Sequence, residues 1–180
     1  TQYIGKYELN SILQNLSTQI NNKYKNIVNK NDPLIIIGIL NGAFMFLSDL
    51  VKMLDIQCEI HFIKVSSYIG TDSSGKVTDI IGLNTDINDK NVLIVEDIVD
   101  SGRTIKKVQE LLEFREAKSI TIATLIDKPS GRTVELVPEY IGTEVPPAFI
   151  IGYGLDYDEL YRNLDCIGIP KDELIKESNE

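Results

Sequence analysis

Glu96, Asp97 and Asp100 stand directly behind an apolar run, Val92 to Val95, and directly before Ser101-Gly102-Arg103-Thr104. An uninterrupted β-branched and aliphatic run predicts a parallel strand buried on both faces. Its two acids would then emerge at the strand's carboxyl end, the edge where open α/β sheets bind ligands. Ser101-Gly102 signals a turn, and Ile105, Val108, Leu111 and Leu112 follow at helical spacing. Asp100 to Thr104 therefore forms a loop opening onto a helix amino terminus, whose unpaired N–H groups favour a phosphate. Two carboxylates beside such a cradle would repel a bare nucleotide. They suit sugar hydroxyls or a magnesium ion. The plainer alternative is a strand-to-helix turn with solvated acids, and the loop alone leaves the two about even.

Other segments narrow the choice. The run VLIVEDIVDSGRT (Val92 to Thr104) resembles the phosphoribosyl-pyrophosphate signature of the type I phosphoribosyltransferases. LNGAFMF (Leu40 to Phe46), SSY (Ser66 to Tyr68), DKP (Asp127 to Pro129) and FIIGYGLDYDELYRNL (Phe149 to Leu164) occur in the order found in the hypoxanthine-guanine branch. The resemblance covers roughly residues 33 to 168. The first motif identifies only the superfamily; the last specifies the 6-oxopurine branch.

The resemblance implies transfer of a phosphoribosyl group from phosphoribosyl pyrophosphate to hypoxanthine or guanine, giving IMP or GMP and pyrophosphate, with Mg2+ as cofactor. It implies that Glu96, Asp97, Asp100, Ser101, Gly102, Arg103 and Thr104 hold the ribose and 5-phosphate. Asp100 faces the purine five-membered ring and handles the N7 proton, as a general base does; its alternative is a helix-capping acid. Pyrophosphate falls to Leu40, Asn41, Gly42, Ser66, Tyr68 and Arg162. The purine falls to Lys128 at the 6-oxo group, Phe149 by stacking, the Ile150 backbone and Asp156. Metal contacts fall to Glu96, Asp97 and Asp156. By themselves, Phe149 reads as core and Lys128 as a solvated lysine. Asn41 departs from the family, which often carries Lys or Arg there after a cis peptide. Asn41 brings no side-chain charge to pyrophosphate.

The elements that must position these residues alternate. Leu9, Ile12, Leu13, Leu16, Ile20 and Ile27 predict an amphipathic helix ending before Asn29 to Asp32. Leu34 to Ile39, Cys58 to Val65 and Ser119 to Ile126 read as strands, and Ala43 to Leu54 as a helix. Tyr68 to Thr78, rich in Gly, Ser, Thr and Asp, reads as a mobile loop that would close over the site. The pattern predicts an α/β fold with a doubly wound, mainly parallel sheet flanked by helices. By resemblance it is the type I phosphoribosyltransferase fold: one domain over 1–180, core about 33–149, and a small hood from 1–32 and 150–180.

The chain has 180 residues, 43% hydrophobic and 25% charged, with a formal net charge of −9. That size suits one domain with a sizeable core. The acidic balance and lack of a basic run argue against nucleic-acid partners. No apolar stretch approaches a membrane span and no signal-peptide pattern appears. Cys58 and Cys166 lack metal-ligand spacing, so a reduced, cytoplasmic chain is expected. His61 reads as a packed or surface histidine. A regulator that keeps the signature without catalysis is the rival class, but it would lose Lys128, Phe149, Asp156 and Arg162. Family resemblance suggests a homodimer or homotetramer.

Overall fold

The computed structural model describes residues 1–69 and 76–171, with side chains except at 67–69 and 76–79. The described elements run β1 (Gln2–Ile4), α1 (Lys6–Tyr24), β2 (Leu34–Leu40), α2 (Phe44–Val51), β3 (Cys58–Ile69), β4 (Lys76–Ile81), β5 (Asn91–Val99), α3 (Arg103–Phe114), β6 (Ser119–Asp127), β7 (Tyr140–Glu144) and β8 (Ile167–Gly168). Six strands form one sheet in the order β4-β3-β2-β5-β6-β7. Its neighbours are parallel except β3 with β4. The chain winds outward from β2, returns to β5 and winds the other way. The switch point of this doubly wound sheet therefore lies between β2 and β5, where such sheets open a crevice for ligands.

Strand alternation divides the core into two layers. On one face, Leu34 and Ile36 of β2 and Leu93 and Val95 of β5 pack with Leu9, Leu13 and Leu16 of α1 and Phe46 and Leu50 of α2. On the other face, Ile35, Ile37 and Ile39 join Val92 and Ile94 and the Ile105–Val108–Leu112 stripe of α3. Each such side chain contributes roughly 1.5–3 kcal/mol when fully buried. This two-sided burial explains why β2 and β5 read as unbroken apolar runs. β1 and β8, from opposite ends of the described chain, pair antiparallel as a separate ribbon.

Several boundaries differ from the sequence expectations. α1 stops at Tyr24, which leaves Ile27 beyond the helix and half-exposed, and α2 is shorter at both ends. The expected irregular loop from Tyr68 to Thr78 is corrected. β3 continues to Ile69 and β4 begins at Lys76, with Ser66 opposite Asp79 and Tyr68 opposite Val77. Tyr68, Ile69, Val77 and Thr78 favour strand, but Gly70 to Gly75 masks that signal. Residues 70–75, at the centre of the expected loop, lie outside the described residues. β7 was not anticipated: it is short and takes its edge position from pairing with β6.

Candidate active site

The carboxyl ends of β2, β3, β5 and β6 share one edge, since Leu40 lies opposite Lys64 and Val99 opposite Asp127. Glu96 and Asp97 are both buried there. Burial, then the neighbouring Asp97 charge, pushes the Glu96 carboxyl well above its usual value. Burial also raises Asp97, although a hydrogen bond with Glu96 and the Arg162 charge pull it down. The Ile98 N–H donates to Asp97 Oδ1 at 2.9 Å, and the Asp97 N–H donates to Glu96 Oε1 at 3.2 Å. Two adjacent desolvated acids call for hydroxyl donors or a cation.

Beyond them the chain turns into α3. Gly102 takes φ +79°, a left-handed conformation that suits glycine. Glu96, Ile98, Val99, Asp100, Ser101, Gly102, Thr104 and Ile105 line a cavity of about 140 Å³ at this helix amino terminus. Arg103 points elsewhere: its Nε–H donates to Thr133 Oγ1 at 3.0 Å.

A wider opening of about 320 Å³ adjoins this loop, lined by Asp100, Lys128, Ser130, Gly131, Pro147, Ala148 and Phe149. Lys128 Nζ donates to the Ala148 carbonyl at 3.0 Å and lies 3.9 Å from Asp100 Oδ2. The lysine is thus a largely buried donor, unlike the solvated lysine its composition alone suggests. Phe149 is half-exposed at the rim, and Tyr157 meets it edge-to-face at 5.6 Å between centroids. Tyr157 was missed from the sequence, where it stands as one aromatic of the Gly-Leu-Asp-Tyr stretch. Ile150, expected to meet the purine through its backbone, is buried next to Phe149.

The third cluster gathers at the end of β2. The Leu40–Asn41 peptide is cis. Gly42 is caught between the Asp97 carboxylate and Gly154: a Cβ on Gly42 would collide with that carboxylate, and a Cβ on Gly154 with the Gly42 carbonyl. Arg162 Nη1 donates to the Gly154 carbonyl at 2.7 Å, while its Nη2 lies 3.4 Å from Asp156 Oδ1 and 3.3 Å from Glu159 Oε1. Asp156 also accepts the Glu159 N–H at 3.0 Å. Glu159 was not expected at the site. Ser66 lies on β3 two positions past Lys64, at the same edge; the Tyr68 side chain lies outside the described residues.

Among the described residues no three His, Cys, Asp or Glu side chains come together as a metal-binding group. The available donors are hard carboxylate oxygens. They fit magnesium, which takes one or two carboxylates and fills its remaining positions with substrate oxygens and water. No helix among the described residues is long and apolar enough to cross a membrane.

Residues 8–158 match the phosphoribosyl transferase domain model. The chain is 44% identical to the hypoxanthine-guanine phosphoribosyltransferase of Staphylococcus aureus, over 93% of this chain and 91% of that protein. It is equally similar to the Listeria monocytogenes bifunctional protein TilS/HprT across 97% of its own length, but spans only 26% of that relative. A crystal structure of a Staphylococcus aureus hypoxanthine phosphoribosyltransferase superimposes with a TM-score of 0.87 at 41% identity, covering 97% of this chain and 92% of that one. With a domain match over most of its length and a full-length relative at this identity, the chain belongs to the hypoxanthine-guanine phosphoribosyltransferase family.

Proposed function

We propose that this chain is a purine-salvage enzyme transferring the 5-phosphoribosyl group of phosphoribosyl pyrophosphate to hypoxanthine or guanine. The observation that carries this reading is the pairing of two adjoining openings. One is a phosphate-sized cavity at the amino terminus of α3; the other is an aromatic-rimmed pocket with Lys128 and Asp100 on its wall. In this reading the 5-phosphate sits on Asp100 to Thr104, where Ser101 and Thr104 add hydroxyls to the backbone N–H groups. Glu96 and Asp97 hold the ribose hydroxyls. The purine stacks on Phe149, and Lys128 leaves the Ala148 carbonyl to donate to the 6-oxo group.

The sugar C1–oxygen bond breaks, the electron pair leaves with pyrophosphate, and C1 bonds to a purine ring nitrogen. The sugar passes through an oxocarbenium-like state, as in glycoside chemistry. Asp100 takes the proton that the purine gives up. Arg162 and the backbone at Leu40, Asn41 and Gly42 receive pyrophosphate. Magnesium, held by Glu96, Asp97 or Asp156 together with substrate oxygens, would supply charge neutralisation for the leaving group. Arg162 and Asp156 must partly separate for both to reach their ligands.

The reading extends to a hood made from residues 1–32 and 150–180, supported by the β1–β8 ribbon, and to a cytoplasmic setting. It also includes self-association as a homodimer or homotetramer. Phe44 of α2 and Ile60, Phe62 and Ile81 on the neighbouring sheet face are all exposed apolar side chains, and such patches mark interfaces. The deciding experiment incubates the protein with phosphoribosyl pyrophosphate and each common base, with and without magnesium. IMP and GMP formation, with little AMP, is the expected result; nucleotide from no base overturns the proposal.

A further inference from the structure

The segment after β6 clasps the phosphate loop at several points. The Lys128 N–H donates to the Val99 carbonyl at 2.9 Å, and the Thr133 N–H donates to the Ser101 carbonyl at 3.0 Å. Gly131 lies so close to the Asp100 carboxylate that a Cβ there would strike it. Beneath these contacts is an ion pair with no substrate role assigned above. Arg132 Nη2 donates to Asp127 Oδ1 across the turn that carries Lys128, and the two side chains are only 13% and 6% exposed. Arg132 also backs the left-handed turn of the phosphate loop: a Cβ at Gly102 would stand 3.1 Å from its Cδ and 3.4 Å from its Nη1. That Nη1 is buried without a hydrogen-bond partner among the described residues.

Stability alone accounts poorly for this arrangement. Taking two charges out of water costs about what their attraction returns, and a buried donor left unpaired adds a further penalty. What the pair achieves is geometric. A planar guanidinium, held by Asp127 on one side and packed under Gly102 on the other, sets the turn 128–131 relative to Asp100–Gly102.

We propose that Arg132 is a positioning residue that joins the phosphate loop to the purine pocket. A phosphate ester seated at the amino terminus of α3 thereby sets Lys128 and the Ala148 rim for the base. The identity of the ligands rests on the transferase reading above; the mechanical linkage is a property of the fold itself.

The test uses Arg132→Met, Arg132→Lys and the pair Asp127→Asn with Arg132→Met, which leaves no buried charge unmatched should the single variant fail to fold. Amide hydrogen exchange of the ligand-free proteins is read at Lys128, Gly131 and Thr133. The KM for hypoxanthine at saturating phosphoribosyl pyrophosphate and the Kd for ribose 5-phosphate are read alongside. Without the guanidinium, exchange at these amides should quicken by about tenfold while central β2 and β5 amides hold, and the hypoxanthine KM should rise about 10- to 100-fold. The ribose 5-phosphate Kd should move by less than about threefold, and Arg132→Lys should recover part of the loss. Wild-type exchange at those amides in a folded variant would overturn the proposal, as would equal losses for base and phosphate. A wild-type protein that forms no nucleotide would sink the transferase reading, with the exchange measurements still deciding the role of Arg132.

Discussion

Lys128 and Asp100 face each other at 3.9 Å across the wall of one pocket, the lysine largely buried and the acid half-exposed. In the proposed transferase reading, the group that reads the purine 6-position thus stands beside the group that takes its proton. A lysine ammonium only donates, so it pairs with an oxo group and not with the amino group of adenine. Lys128→Gln, which can both accept and donate, should narrow the ratio of hypoxanthine to adenine efficiency. It also removes the cation beside Asp100, so its effect should be non-additive with Asp100→Asn. An unchanged ratio in a folded variant removes Lys128 from recognition.

The buried acids predict a pH signature of the ligand-free protein. Burial raises Glu96 well above 4.5 and Asp97 above 3.8. A carboxyl raised on folding stabilises the fold while protonated. That contribution is complete below its unfolded value and is lost as pH rises through its folded value. Glu96→Gln should therefore match the wild type at about pH 4 and melt higher at about pH 8, by roughly 2–4 °C for each kcal/mol recovered. Melting curves across this range check it, and a variant no more stable than wild type at the higher pH counts against the burial argument.

How far the fold was legible depends on which contacts shape each element. The Val92–Val95 and Leu34–Ile39 runs are apolar on both faces, so strand, parallel pairing and ligand edge all followed from local sequence. β3 is legible only as far as Val65 and β4 not at all, because the Gly, Ser and Asp of residues 70–75 interrupt the strand signal in the sequence between Tyr68 and Thr78. β7 was missed because its five residues owe their conformation to β6 and to packing under α1. At the site, the family resemblance could nominate Lys128 and Asp100 but not their approach. Asp127 with Arg132, Tyr157 against Phe149, and Asp156 held by Arg162 are products of tertiary turns. No period or spacing announces them.

Gly154 is a sharper structural test. Its φ is +99°, and a Cβ there would fall on the Gly42 carbonyl oxygen. Gly154→Ala should cost about 1–3 kcal/mol in backbone strain, with added steric displacement of Gly42. Because Arg162 donates to the Gly154 carbonyl, pyrophosphate affinity should fall together with the melting temperature. Full retention of both would show that the Gly42–Gly154 contact has no role in holding this corner.

Metal dependence follows from charge. In the proposed reading pyrophosphate binds beside the Asp97 and Asp156 carboxylates, and Arg162 already shares its guanidinium with Asp156 and Glu159. Chelation should abolish nucleotide formation, and added magnesium should restore it. Undiminished turnover in metal-free buffer would contradict the proposed leaving-group site.

Asp100→Asn separates chemistry from architecture. Asp100 packs against Gly131 and opens the phosphate loop, so a substitution that altered its shape would confuse the two. Asparagine is nearly isosteric, and Gly102, not Asp100, is the N-cap of α3, so the substitution leaves the helix terminus as it is. If Asp100 only shapes the loop, little should change. If it takes the purine proton, the chemical step should slow by ~10²- to 10⁴-fold, with phosphoribosyl-pyrophosphate affinity altered far less. Steady-state rates can hide this, because product release often limits turnover. Single-turnover measurement of nucleotide formation is the appropriate readout. A wild-type single-turnover rate in the variant would leave Asp100 with the loop alone and move the search for the proton acceptor to solvent or the substrate itself.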